Sequence, residues 1–179
     1  MESIPRDRFW SRHPAEGADS RWRHWLVNRG LLTRRIQAHC TAFSVHVLFQ
    51  GAARATPDER FLAGSHARMA LVREVCLNCG THPVVFAHSV VQLRHLRGPW
   101  RALANLGARP LGAELFNNPR VRRCPLRFRK LNAHDALHAR ACNALGKRLP
   151  ALWARRSLFV LHRSPILVTE VFLPRLFKL

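Results

Sequence analysis

The chain has 179 residues, 47% of them apolar and 22% charged, with 30 Lys and Arg against 10 Asp and Glu for a formal charge of +20. That apolar fraction excludes a disordered basic tail, and the length suits one domain with a sizeable core. All the basic residues except Lys130, Lys147 and Lys178 are arginines, scattered without a run of five or six and without interleaved rings, so the charge reads as a solvated surface rather than a nucleic-acid interface.

Residues 1–20 carry Pro5, Pro14 and Gly17 among charges and read as a flexible N-terminal arm ahead of one domain over residues 21–179. The arm lacks the apolar stretch of a signal peptide, and no window approaches the roughly 18 apolar residues of a membrane span, so a cytoplasmic protein without membrane insertion is expected. Residues 22–36 look helical with a break at Gly30. Residues 41–49 alternate, with Thr41, Phe43, Val45, Val47 and Phe49 on one side, which predicts a half-buried strand. Residues 68–78 and 84–92 form a hairpin about the turn at 80–83, and 99–106 form a short helix closed by Gly107. Residues 117–131 are basic and partly alternating. A helix spans 132–146, with Asn132 as N-cap, Asp135 three residues on and Gly146 at its end. Strands 153–161 and 166–173 are joined by the short loop 162–165. Strands linked by short turns pair antiparallel, giving an α+β domain.

Two charges fall on apolar faces. Arg73 shares strand parity with Met69, Leu71, Val75 and Leu77; Glu170 shares it with Ile166, Val168 and Phe172. Burying an ionised group without a partner costs several kcal/mol, so each needs a counter-ion or a ligand. One reading is a buried Arg73–Glu170 salt bridge that holds the sheet in register. The other is an enclosed cavity in which the planar fork of Arg73 receives a ligand carboxylate and Glu170 meets a polar group further along.

Other candidates carry less. Five cysteines (Cys40, Cys76, Cys79, Cys124, Cys142) in a chain without an export signal suggest reduced thiols rather than a disulfide framework. Cys76 and Cys79 have CxxC spacing with His82 nearby, but on an extended strand their thiols point to opposite faces, so no metal site is expected. His46, His66 and His134 read as surface residues. P-loop, GxGxxG, HExxH and GxSxG motifs are absent.

The segments Trp25-Leu26 with Leu31-Leu32-Thr33-Arg34-Arg35, Leu71-Val72-Arg73-Glu74-Val75, Leu106-Gly107-Ala108-Arg109-Pro110-Leu111-Gly112, Trp153-Ala154-Arg155-Arg156-Ser157 and Thr169-Glu170-Val171-Phe172-Leu173-Pro174 occur in an order and spacing that resembles the chorismate pyruvate-lyase family. The resemblance covers about residues 22–174, and the LGxxPLG and TEVFLP segments are its most specific parts. It implies an antiparallel sheet of about six strands with helical flaps enclosing a ligand cavity. It also implies cofactor-free conversion of chorismate to 4-hydroxybenzoate and pyruvate, toward ubiquinone, by a monomer with no obligate protein partner. Carried over residue by residue, it makes Arg73 the clamp for the ring carboxylate and sets Glu170 against the ring hydroxyl. Leu32 and Leu111 become flap contacts to the substrate. The catalytic pair is then Arg73 and Glu170.

Three departures stand out. Phe86-Ala87-His88-Ser89 carries His88 where relatives commonly have Arg, which makes His88 an additional candidate for the pyruvyl carboxylate. Leu31 replaces a Ser. The stretch 117–152 is long and basic. The alternative from another functional class is a non-catalytic protein of the same fold that binds a small aromatic acid.

Overall fold

The helical segment read over 22–36 is two short helices, α1 (Ser20–Leu26) and α2 (Leu32–Ala38), parted at the Gly30 break. The computed structural model describes residues 9–14, 20–63 and 69–179; His66 and most of the arm lie outside that range. Within the described part of the arm, Trp10 is 3% exposed and Ser11 exchanges two backbone hydrogen bonds with Phe128, so this stretch is docked on the sheet.

The first strand, β1 (Phe43–Arg54), runs beyond the expected end at residue 49. It is followed by α3 (Arg60–Ala63) and pairs antiparallel with β2 (Met69–Cys79). Its alternation breaks where Leu48 bulges out between the pairs Val47–Val75 and Phe49–Glu74. The extra residue turns Leu48 toward the core on the far side of the sheet, leaves Phe49 40% exposed, and sets Gln50 opposite Arg73.

The hairpin then closes through Gly80, at φ 57°, into β3 (His82–Val91). Helix α4 (Leu111–Asn117) begins directly after Pro110. The basic stretch resolves into β4 (Arg122–Arg123) and β5 (Arg127–Leu131). Helix α5 (Ala136–Leu145) has its N-cap at Asp135, three residues later than the expected Asn132, and Gly146 ends it at φ 62°. Asn132 instead offers its side chain to the amide of His134 in the turn before the helix. Strands β6 (Leu152–Leu161) and β7 (Ser164–Phe172) form the second hairpin. Its two turn residues, His162 and Arg163, both take positive φ (46° and 63°), as a two-residue hairpin turn demands.

The sheet is antiparallel with seven strands, one more than the resemblance implies, in the order β1-β2-β3-β7-β6, and both β4 and β5 pair with the outer edge of β6. Both faces are covered, which is why β6 and β7 are buried along almost their whole length. On one face α1 and α2 pack Trp25, Leu26 and Ile36 over Val85, Trp153 and Phe172, while Trp100, Leu103 and Leu115 cover Val91, Phe159 and Ile166. The other face is closed by Trp10 and by Leu137 and Ala141 of α5, with Leu62 of α3 over Val72 and Leu167.

One expectation fails outright. Cys40, just after α2, is joined to Cys79 at the end of β2 by a disulfide, and Cys76, Cys124 and Cys142 are free. Pairing of β1 with β2 sets Phe43 opposite Cys79 and so carries Cys40 to that strand end, a contact no local pattern could announce. The CxxC thiols do part, because Cys76 is buried in the opposite-face core, where burial pushes its thiol up to about 11. No group of three or more His, Cys, Asp or Glu able to hold a metal occurs among the described residues. No helix among them is long and apolar enough to cross a membrane.

Candidate active site

Cross-strand register brings the polar groups together. One row across the sheet reads Arg73, Ser89, Val168, Ser157, and the next reads Val75, Ala87, Glu170, Arg155. These side chains lie between the two apolar clusters under the flaps. Two small cavities remain there, of about 40 and 30 Å3. Arg73, Ser89 and Leu111 border the first; Leu32, Arg123, Arg155 and Glu170 border the second; Thr33 and Val168 border both.

Arg73 is 4% exposed and is held in place by three acceptors. Its Nε donates to Gln50 Oε1 at 3.0 Å, and its Nη2 to the carbonyls of Gly107 and Arg109 at 2.7 and 3.2 Å. None of the three is charged, so the guanidinium keeps an uncompensated positive charge, and burial pushes its pKa down. It stays protonated all the same. Its Nη1 has no partner among the described residues and is left for a ligand. The LGxxPLG segment thereby acquires a physical meaning. Gly107 adopts φ 56°, where a side chain would be strained, to turn its carbonyl to Arg73. Pro110 leads into α4, and Gly112 permits contact between the flaps, since a Cβ there would stand 2.5 Å from Leu31 Cδ1.

Glu170 does not pair with Arg73. Its Oε2 accepts from Arg155 Nε at 2.5 Å, and Arg155 Nη1 reaches the carbonyls of Trp25, Leu26 and Asn28 at the end of α1. The second charged neighbour is Arg123, whose positive end lies against the rings of Phe116 and Phe159 at 5.3 Å each. Burial pushes Arg123 down, the nearby Glu170 works against that shift, and Arg155 and Arg29 add to it.

Strand geometry sets the scale. Glu170 lies two strands from Arg73 and one row along, so their Cα atoms are roughly 12 Å apart at ~4.8 Å per strand and ~3.4 Å per residue.

His88 departs from its assignment. Residue 88 borders the first cavity, but its ring is on the opposite face from Arg73, opposite Glu74 in register. Nδ1 lies 3.0 Å from Glu74 Oε1 and Nε2 lies 3.2 Å from Glu59 Oε1, and Arg140 Nη1 closes the cluster on Glu74 at 2.6 Å. Burial alone would lower the pKa of His88, but the two carboxylates push it up to about 9; Glu59, despite its own burial, is held at about 2 by His88 and Thr56. The ring is charged and both nitrogens are taken, so it offers nothing to a substrate carboxylate.

The residues that strand parity missed are Arg155, Arg123, Gln50 and Thr33. Arg155 and Arg156 are adjacent and both buried, facing opposite sides, so alternation alone gave no reason to choose between them. Arg156 goes to the far face, against Asp58 and the ring of Trp10.

Residues 16–179 match the family model for chorismate lyase. The chain is 55% identical over 172 residues to a probable chorismate pyruvate-lyase of Nitrosospira multiformis, covering 93% of this chain and 94% of that one. It is 51% identical to one of Nitrosomonas europaea, covering 93% and 95%. Among solved structures it is similar to the effector domain of PhnF from Mycobacterium smegmatis (TM-score 0.52, 12% identity, 82% of this chain and 90% of that one) and to a GntR-family transcriptional regulator from Bacillus cereus (0.52, 12%, 74% and 92%), a likeness of fold alone. The chain belongs to the chorismate lyase family.

Proposed function

We propose that the protein removes the enolpyruvyl group of chorismate to give 4-hydroxybenzoate and pyruvate, with Arg73 holding the ring carboxylate and Glu170 the ring hydroxyl. The observation that carries this reading is the uncompensated guanidinium of Arg73 set two strands from the Glu170–Arg155 pair, under flaps that meet at Leu31 and Gly112.

Little covalent chemistry is asked of the protein. Loss of the enolpyruvyl group with a ring hydrogen makes the ring aromatic, which supplies the driving force. The side chains then need to orient the dianion, stabilise charge on the departing enolate and keep water out. Arg73 orients through its free Nη1 edge. Glu170 accepts from the hydroxyl, and Arg155 keeps its carboxylate fixed in place. Leu32 and Leu111, each the first residue of a flap helix, bring backbone and apolar surface down on the ring from either side. The product retains the carboxylate and hydroxyl that the site grips, so release is expected to be slow. On this reading the enzyme works as a cytoplasmic monomer supplying the aromatic acid of the ubiquinone ring.

The test is to mix purified protein with chorismate and follow formation of 4-hydroxybenzoate by absorbance. Folded protein that gives no product removes the lyase reading. Tight binding of 4-hydroxybenzoate without turnover replaces it with an aromatic-acid-binding protein of the same fold.

A further inference from the structure

Chorismate carries a second carboxylate, on the group that leaves, and with His88 turned to the far face the reading above assigns nothing to hold it. Among the described residues, the charged side chains bordering the second cavity are Arg123, Arg155 and Glu170. With Arg73 at the first cavity, three guanidinium groups stand against one carboxylate, an excess of two positive charges under the flaps. A dianion balances it. Arg73 accounts for one negative charge, and Arg155 is already committed to Glu170 and three carbonyls.

Arg123 is the remaining cation, and its geometry suits an anion. Nη1 donates to the carbonyl of Arg29 at 2.6 Å, which fixes the plane of the group, and Phe116 and Phe159 lie against it. Nε is buried with no hydrogen-bond partner. Nη2 has none among the described residues either, so the whole Nε–Nη2 edge, the edge that accepts a carboxylate side-on, is unspent. A buried donor left unsatisfied carries a desolvation cost that an anionic ligand would remove.

Position fits as well. Arg123 pairs with Phe159 on the site face of β6's outer edge, four strand spacings from Arg73 on β2, or roughly 19 Å between backbones at ~4.8 Å each. Arg73 and Arg123 stand on the same face of the sheet, each beside one of the two cavities. We infer that the Nε–Nη2 edge of Arg123 is the subsite for the carboxylate of the leaving enolpyruvyl group. This rests on the lyase reading and deepens it: Arg73 and Glu170 serve what substrate and product share, and Arg123 serves only what departs.

That division gives the test. In Arg123→Gln the KM for chorismate is expected to rise at least tenfold, while the Kd for 4-hydroxybenzoate, which lacks the second carboxylate, stays within twofold of wild type. A parallel loss of product affinity, or an unchanged KM, overturns the assignment. Should Arg123→Gln not fold, Arg123→Lys, which keeps the charge and loses the two-point edge, reads the same split. Wild-type protein provides an independent arm. It is expected to bind 4-(carboxymethoxy)benzoate at least tenfold more tightly than 4-methoxybenzoate, a preference that the variant abolishes. Equal affinities in wild type sink the subsite even if turnover is normal, whereas wild type that never turns over chorismate removes the lyase reading itself and the subsite with it.

Discussion

Arg155 and Glu170 are direct cross-strand partners, and the guanidinium that fixes Glu170 also ties down the end of α1 through the carbonyls of Trp25, Leu26 and Asn28. One side chain thus couples the proposed hydroxyl-binding group to the flap above it. It is 1% exposed, so its solvation has been replaced entirely by these acceptors.

Removing it is expected to cost stability and activity together. Arg155→Met strands Glu170 and three carbonyls, and breaking a buried pair by deleting one partner typically costs about 3–5 kcal/mol. Glu170→Gln is expected to cost less, because Arg155 keeps its carbonyl acceptors, while still lowering turnover by roughly 100-fold or more. Urea denaturation of both variants beside their initial rates checks the order. Equal stability losses would mean that the carbonyl contacts contribute nothing.

Arg73 makes its contacts with neutral acceptors, so its charge is available to a ligand and its loss should fall on binding. Arg73→Met is expected to weaken 4-hydroxybenzoate binding by roughly 10–100-fold, the 1.5–3 kcal/mol of a hydrogen bond to a charged group. Calorimetric titration reads this directly. A variant that binds the product as wild type does would remove Arg73 from the ring-carboxylate role.

Much of this arrangement was legible before any coordinates. Parity placed Arg73 and Glu170 on a covered face because both strands are regular and apolar at alternate positions. What stayed hidden came from register and from strand pairing across long sequence distances. The bulge at Leu48 shifts β1 by one residue and brings Gln50 to Arg73, and it leaves no mark in the alternation before it. The two buried arginines at 155 and 156 are equivalent in a strand covered on both faces. His88 alternates with Phe86 and Val90 along β3, but that set is the far face, and only the loop holding Glu59 decides what the ring meets there. Cys40 meets Cys79 only because β1 lies beside β2.

The His88 cluster makes stability depend on pH in a defined window. His88 is raised from its ordinary 6.5 to about 9, so its contribution is complete below pH 6.5 and is lost as pH rises through 9. Glu59 is lowered from 4.5 to about 2, so its contribution is present above pH 4.5 and is lost as pH falls toward 2. Wild-type melting temperature is expected to be level between pH 4.5 and 6.5 and to decline from there toward pH 9. In His88→Gln the melting temperature is lower at pH 6, and its gap to wild type narrows by pH 9.5. Parallel profiles for the two proteins would show that His88 is not the group responsible.

The disulfide fastens the end of α2 to the end of β2, and closing a loop of 39 residues in the unfolded chain typically stabilises by about 2–4 kcal/mol. Thiol titration of the unfolded, unreduced protein is expected to find three free cysteines, and five after reduction. Cys40→Ser should melt lower than wild type under oxidising conditions and match it once both are reduced. Five free thiols without reduction would show that the bond does not form.

On the proposed reading, the flap contact at Leu31 and Gly112 controls product release. A methyl group at 112 would meet the flexible end of Leu31, which can swing aside, so Gly112→Ala should fold with little loss; Gly112→Val, with two more carbons, has to push the flaps apart. Because the ligand is held by what closes over it, Gly112→Val is expected to speed 4-hydroxybenzoate dissociation about tenfold or more, with a smaller change in the association rate. Leu31→Ala in the same chain makes room for the new side chain and is expected to restore most of the slow release. Stopped-flow dissociation in the single and double variants reads this interaction: if Leu31→Ala leaves the fast release of Gly112→Val unchanged, the two flaps do not gate the site through this contact.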